Sequence, residues 1–252
     1  MVRGSIKKGI IGGRANKQWV GFVLPADVMD SMAALTKTGL WNQLAKISHA
    51  LYVAYHFIPF MWRFGNPKTT MPKIEAFFKA LHSHEAKNLP IGTAGFCWGA
   101  KFVVQLCWDQ TKTDDGRRLV DCGFVAHPSF WKYPGDPEMV VLPLSVAAAE
   151  IDPQMSKEQA QQTKEILTAK TAKTKDAGVE HEFIMYDGAE HGFAVRANEV
   201  SKPRFSCLVR HSVDSIHEQN EKHQAEQGKK AEDQAVKWFS RWFANPPPLA
   251  KS

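Results

Sequence analysis

The stretch Gly95-Phe96-Cys97-Trp98-Gly99 constrains this chain more than any other. Gly-x-nucleophile-x-Gly is the spacing of a nucleophile elbow, a sharp turn between a strand and a helix, here with cysteine in place of serine. Glycines suit such a turn because a side chain would clash where the backbone folds back on itself. The neighbourhood fits. Leu89 to Phe96 reads as a short buried strand entered through Pro90, and Trp98 to Trp108 carries Phe102, Val103, Leu106 and Cys107 at helical spacing. Cys97 is therefore expected at a helix N-terminus, where the dipole and free N–H groups favour thiolate. For these five residues alone, a buried cysteine in a glycine-rich turn is the plainer alternative.

Strand and helix patterns alternate around the elbow. Trp19 to Pro25 is a continuous apolar strand, and Trp41 to Phe60 reads as helix and covering loop. Thr70 to His84 places Ile74, Phe77, Phe78 and Leu81 on one helical face. Beyond the elbow come strands at Leu119–Ala126, Val140–Ala149 and Val179–Tyr186, with a helix at Ser156–Asp176 stopped by Gly178 and a last helix at Glu218–Phe243. This alternation predicts an α/β fold with a mostly parallel sheet and helices on both faces. Sites in such sheets form beyond the carboxyl ends of the strands, so partners for Cys97 should follow the ends of other strands.

Two residues meet that condition. Asp152 follows the strand ending at Ala149, in Glu150-Ile151-Asp152-Pro153, and His191 follows the strand ending near Tyr186-Asp187. The order nucleophile, acid, histidine is that of an α/β-hydrolase triad. In it Cys97 attacks a carbonyl, His191 moves the proton, and Asp152 fixes the imidazole tautomer. Each has a plainer reading. Asp152-Pro153 also suits a turn or a cap for the helix at Ser156, Glu150 is a rival acid, and His191 is one of ten histidines.

Composition narrows the field. The 252 residues, 44% of them apolar, suffice for one large α/β domain. The most apolar run, Ala50 to Trp62, is too short to span a bilayer, so no membrane association is expected. Residues 1–13 lack the apolar segment of a secretory leader. Cys97, Cys107, Cys122 and Cys207 show neither CxxC nor metal-ligand spacing, so free thiols, a cytoplasmic location and no metal are expected. The net charge of +6 is spread over helix faces among Glu and Gln without nucleic-acid motifs, so no nucleic-acid partner is expected.

Three segments together resemble the dienelactone hydrolase family, especially its fungal-type members: Gly95-Phe96-Cys97-Trp98-Gly99-Ala100-Lys101, Ala126-His127-Pro128-Ser129-Phe130 and Tyr186-Asp187-Gly188-Ala189-Glu190-His191-Gly192-Phe193. The resemblance runs from about Gly13 to Asn198 and resumes at Lys229–Phe243. It implies an α/β-hydrolase with a Cys97-Asp152-His191 triad, no organic cofactor and no metal, cleaving lactone or ester bonds as a carboxymethylenebutenolidase does. It further implies that His127 and Phe130 lie near the pocket. Arg196 resembles a substrate-carboxylate-binding arginine set off by one position, and Arg63 is offered for a second. The substrate would be a small lactone or ester, and the protein a monomer or homodimer.

The sequence departs from the family pattern in two places. The first strands of the fold have no match before Gly12-Gly13-Arg14, including a loop that supplies one oxyanion donor and a glutamate that helps activate the cysteine. Trp98 N–H remains as the other oxyanion donor. Residues 199–220 lack helix or strand periodicity and read as an irregular insertion within a single domain over 1–252. The rival to an active hydrolase is therefore a catalytically inactive binding or scaffold protein of the same fold.

Overall fold

In the computed structural model, which describes residues 40–174, 178–196 and 213–247, the apolar runs beyond Pro90 become four parallel strands. They are β1 (Gly92–Phe96), β2 (Cys122–Ala126), β3 (Leu144–Ile151) and β4 (Glu182–Glu190), ordered β1-β2-β3-β4. The helices are α1 (Leu40–Phe64), α2 (Pro67–Ser83), α3 (Ala100–Leu106), α4 (Gly135–Glu138), α5 (Lys157–Thr174), α6 (Phe193–Arg196) and α7 (Val213–Ala244). The chain divides into two compact units at Pro72–Lys73, within α2. The first holds α1 and the start of α2; the second holds the sheet and all that follows here. The strand expected at Trp19–Pro25, and the segment before it, lie outside the described residues.

Side chains alternate across the sheet, so each face has its own partner. Cys122, Phe124 and Ala126 of β2, Ala147 and Ala149 of β3, and Tyr186 of β4 pack with Phe193 and with Ala231, Trp238 and Trp242 of α7. At about 25 cal/mol per Å² and about 200 Å² per ring, each buried indole is worth roughly 5 kcal/mol before ordering costs. A polar clamp ties the same helix to the strands. Gln234 Nε2 donates to Ser145 Oγ and Glu182 Oε2 at 2.8 and 3.1 Å, while Tyr186 O–H donates to Gln234 Oε1 at 2.8 Å. On the other face α3 comes so close that a Cβ on Gly123 would lie 2.6 Å from Cys107 Sγ and 2.9 Å from Val103 Cγ1.

Several strands start later than the apolar runs suggest, because the first residues bond elsewhere. Val141 and Leu142 N–H both donate to Cys107 O at 2.9 and 3.0 Å, so β3 begins only at Leu144. Val179 closes the end of α5, its N–H on Thr174 O and its carbonyl accepting from Thr174 Oγ1, which delays β4 to Glu182. The last helix starts at Val213, not Glu218. Residues 213–220 of the segment expected to be irregular are therefore helical, and 197–212 lie outside the described residues. Among the described residues no helix is long and apolar enough to cross a membrane.

Parallel pairing brings the strand ends onto one edge. Phe96 pairs with Ala126, Ala126 with Ala147, Ala149 with Tyr186 and Ile151 with Glu190. The loops leaving β1 to β4 thus start side by side.

Candidate active site

Cys97 is the first residue after β1 and opens a single 3-10 turn, Cys97–Gly99, that runs into α3. Its φ of 52° lies in the left-handed region, which a non-glycine residue holds only where its surroundings impose it. The flanking glycines differ in their reasons. A Cβ on Gly95 would lie 2.7 Å from Gly99 O and 2.8 Å from Gly99 C, so the turn requires glycine there. Around Gly99 nothing lies within 4 Å of such a Cβ and its φ is helical, so the steric reason expected at both positions applies only to the first.

Beyond β4, His191 reaches the sulfur: its Nε2 is 3.2 Å from Cys97 Sγ. Its Nδ1 lies 2.8 and 2.9 Å from the two carboxylate oxygens of Asp152, just past β3. The Asp152 side chain is fully buried and that of His191 is 13% exposed. Asp152 Oδ1 also accepts from Gln154 N–H at 2.8 Å, so this residue makes a turn bond as well as its contact with His191. The helix cap is Ser156 instead, in a reciprocal pair with Gln159. Glu150, the rival acid, is engaged elsewhere, accepting from Lys157 Nζ at 2.9 Å and Gly188 N–H at 2.8 Å.

This geometry favours an ion pair. Burial pushes the Cys97 thiol up, but hydrogen bonds from His191 and Ser129, the imidazolium charge and the Trp98 N–H outweigh it and hold the thiol below its ordinary value. For His191, burial pulls downward, and the hydrogen bonds and charges of Asp152 and Cys97 outweigh it, raising the imidazole to about 9. The two shifts run in opposite directions, each toward the charged form, so they favour a thiolate beside an imidazolium. Cys107, fully buried, is pushed far up by desolvation, and Cys122 is pushed up to about 12. Reactivity is thus concentrated at Cys97 among the described cysteines.

The other expected site residues are placed as follows. His127 is fully buried and lies edge-on to His191, centroids 5.0 Å apart, and 5.8 Å from Phe193, so it backs the histidine rather than lining open surface. Phe130, 46% exposed, lies on the surface with a φ of 59°. Trp98 follows Cys97 in the 3-10 turn, its ring against Phe102. Arg196 ends α6, five positions after His191, and its side chain lies outside the described residues. Arg63 is in the last turn of α1, in the first unit. Among the described residues no three His, Cys, Asp or Glu side chains converge as a metal site.

One group went unassigned at the sequence level. Ser129 Oγ lies 3.4 Å from Cys97 Sγ, and Ser129 N–H donates to Cys97 O at 3.1 Å. The signal was available, because His127-Pro128-Ser129 follows the end of β2 as Asp152 follows β3 and His191 follows β4.

A turn after β1, a carboxylate after β3 and a histidine after β4 of one parallel sheet, meeting at one edge, fit the α/β-hydrolase fold. A dienelactone hydrolase-like promiscuous phosphotriesterase, P91, from metagenomic libraries shares it with a TM-score of 0.50 at 14% identity, covering 75% of this chain and 68% of its own. The family model for the dienelactone hydrolase family matches residues 60–243, and the chain belongs to that family. Among curated relatives, the hydrolase tropI of Talaromyces stipitatus is 30% identical over 139 residues, 52% of this chain and 45% of the relative. The hydrolase pyvD of Aspergillus violaceofuscus is 32% identical over 108 residues, 43% of this chain and 38% of the relative. The match thus spans less than half the length of either relative.

Proposed function

We propose that this protein hydrolyses a lactone or ester through covalent catalysis by Cys97, with His191 as proton carrier and Asp152 as its orienting carboxylate. The observation that carries the reading is the continuous chain of contacts: Sγ to Nε2 at 3.2 Å, and Nδ1 to both Asp152 oxygens at 2.8 and 2.9 Å. Membership of the dienelactone hydrolase family supports ester or lactone hydrolysis.

The Cys97 thiolate attacks the carbonyl carbon, and the developing oxyanion is received by the Trp98 N–H. The C–O bond breaks as His191 Nε2–H gives its proton to the departing alcohol, leaving a thioester. Acylation removes the sulfur's charge and hydrogen bond, two of the influences that raise His191. With those gone the imidazole holds its proton less tightly, so the neutral form that can accept a proton from the attacking water is available. The water hydrolyses the thioester, and the carboxylic acid and thiolate are released. Phe96, Phe130, Ile151 and Val195 are exposed apolar side chains, each within a few positions of a triad residue or of Ser129. They suit a substrate with an apolar body.

The test is turnover of enol lactones and activated aryl esters by the parent chain and by Cys97→Ala. Hydrolysis by the parent and none by the variant is expected. A folded parent that hydrolyses none of them would move the protein to the inactive binding class, and an active Cys97→Ala variant would remove the cysteine mechanism.

A further inference from the structure

The connection leaving β2 holds two residues in an unfavourable conformation and one hydroxyl that the triad leaves without a role. His127 and Phe130 have φ of 38° and 59°, which non-glycine residues keep only where surrounding contacts over-determine them. Two contacts fix the loop here. Ser129 N–H donates to Cys97 O at 3.1 Å, and Lys101 Nζ, on a residue 9% exposed, donates to Phe130 O at 2.7 Å. A buried ammonium directed at a main-chain carbonyl fastens one end of the loop to α3, the helix that the nucleophile's own turn begins. Between the two contacts Ser129, 1% exposed, is shielded from water with its Oγ 3.4 Å from Cys97 Sγ. A thiolate has no proton to give, so in the ion-paired state the hydroxyl must be the donor.

We propose that Ser129 is the side-chain donor that holds the Cys97 thiolate alongside His191, and that Lys101 is the positioning residue that keeps it there through the Phe130 carbonyl. The inference rests on Cys97 being the nucleophile and deepens that reading. The hydroxyl keeps its proton throughout. It gives the sulfur a hydrogen bond that is strongest when the sulfur is charged, both before attack and when thiolate leaves the acyl carbon. The ionisable groups around the sulfur are His191 beyond β4, Asp152 behind it beyond β3, His127 beyond β2 and Lys101 on α3, the last turned to the Phe130 carbonyl. Ser129 is thus the uncharged side-chain donor to the sulfur, beside the Trp98 main-chain N–H.

The experiment is the pH dependence of alkylation at Cys97 by iodoacetamide, read by peptide mass spectrometry on the full chain. It needs no substrate, so it reports on Ser129 whether or not any ester is hydrolysed. Ser129→Ala should raise the alkylation midpoint by about one pH unit, a roughly tenfold slower reaction below the midpoint, the size expected for one hydrogen bond to a charge. Ser129→Thr should restore it, and Lys101→Met should move it in the same direction by less. A Ser129→Ala variant with the parent's thermal transition and the parent's midpoint would overturn the proposal. If that variant does not fold, the isosteric pair Ser129→Thr and Ser129→Val decides, equal midpoints overturning it. An unmoved midpoint in Lys101→Met would remove the role of the lysine. Ester hydrolysis with an unmoved Ser129→Ala midpoint would defeat this inference alone; a shifted midpoint with no hydrolysis would defeat the hydrolase reading alone.

Discussion

At the Cys97 sulfur, burial works against the charge and the neighbouring donors work for it, and the donors win. The window in which both charges exist runs from the lowered thiol value up to about 9, where His191 loses its proton. Acylation should therefore rise as pH climbs through the thiol's value and fall again near 9, a bell in kcat/KM for ester hydrolysis. The sign of the alkaline limb follows from His191: above it the leaving alcohol has no proton donor and the thiolate has no cationic partner. A profile still rising through pH 10 would contradict this assignment. Asp152→Asn removes the charge that helps raise His191 and puts an amide that can donate as well as accept against Nδ1, leaving the tautomer unfixed. Its activity should drop on the order of 10³- to 10⁴-fold. Steady-state kinetics on an activated ester measures that loss.

At the scale of elements, the elbow is a close approach of β1 and α3, and its two glycines separate by mechanism. Gly95→Ala drives a Cβ into the backbone of Gly99, which should destabilise the fold by about 1–3 kcal/mol or displace the turn that carries Cys97. Gly99→Ala meets nothing and sits at helical φ, so its thermal midpoint should equal or exceed the parent's. Equal midpoints for the two variants would mean that the turn is looser than its contacts indicate. The pentapeptide alone could not separate the two glycines, because its spacing carries no information on which backbone the missing Cβ would meet. That Cys97, Asp152 and His191 meet was legible for a different reason: strand-end positions in a parallel sheet are set by topology, so strand pattern pointed to Asp152 and His191 as neighbours of Cys97. Ser129 obeyed the same rule, yet a serine in a Pro-containing loop has no distinctive chemistry until its distance to the sulfur is seen. Strand starts were the least legible feature, because hydrogen bonds such as those from Val141 and Leu142 to Cys107 O hold apolar residues outside the ladder.

For the whole molecule, the net charge of +6 is the property most open to misreading. Many of its cations are matched locally: Lys229 lies 2.9 Å from Asp233, Lys230 2.7 Å from Glu226, Lys157 2.9 Å from Glu150 and Arg241 2.7 Å from Glu180. A positive field broken up in this way gives weak, salt-sensitive attraction rather than a binding track. Fluorescence anisotropy with duplex DNA or RNA should show no binding at 0.15 M salt, and a complex that survives 0.5 M salt would contradict this. The four-stranded parallel sheet and the mutually bonded Cys97, His191 and Asp152 all belong to the unit Lys73–Ser252, so the candidate site comes from one stretch of chain. The central claim is that Cys97 forms a covalent bond with the substrate's acyl group. Rapid mixing with an activated aryl ester, acid quench and intact-protein mass spectrometry should show a mass increase of one acyl group, mapped to the peptide containing Cys97 and absent from Cys97→Ala. An ester hydrolysed at full rate with no acyl group ever found on Cys97, or with the group mapped to another residue, would contradict it.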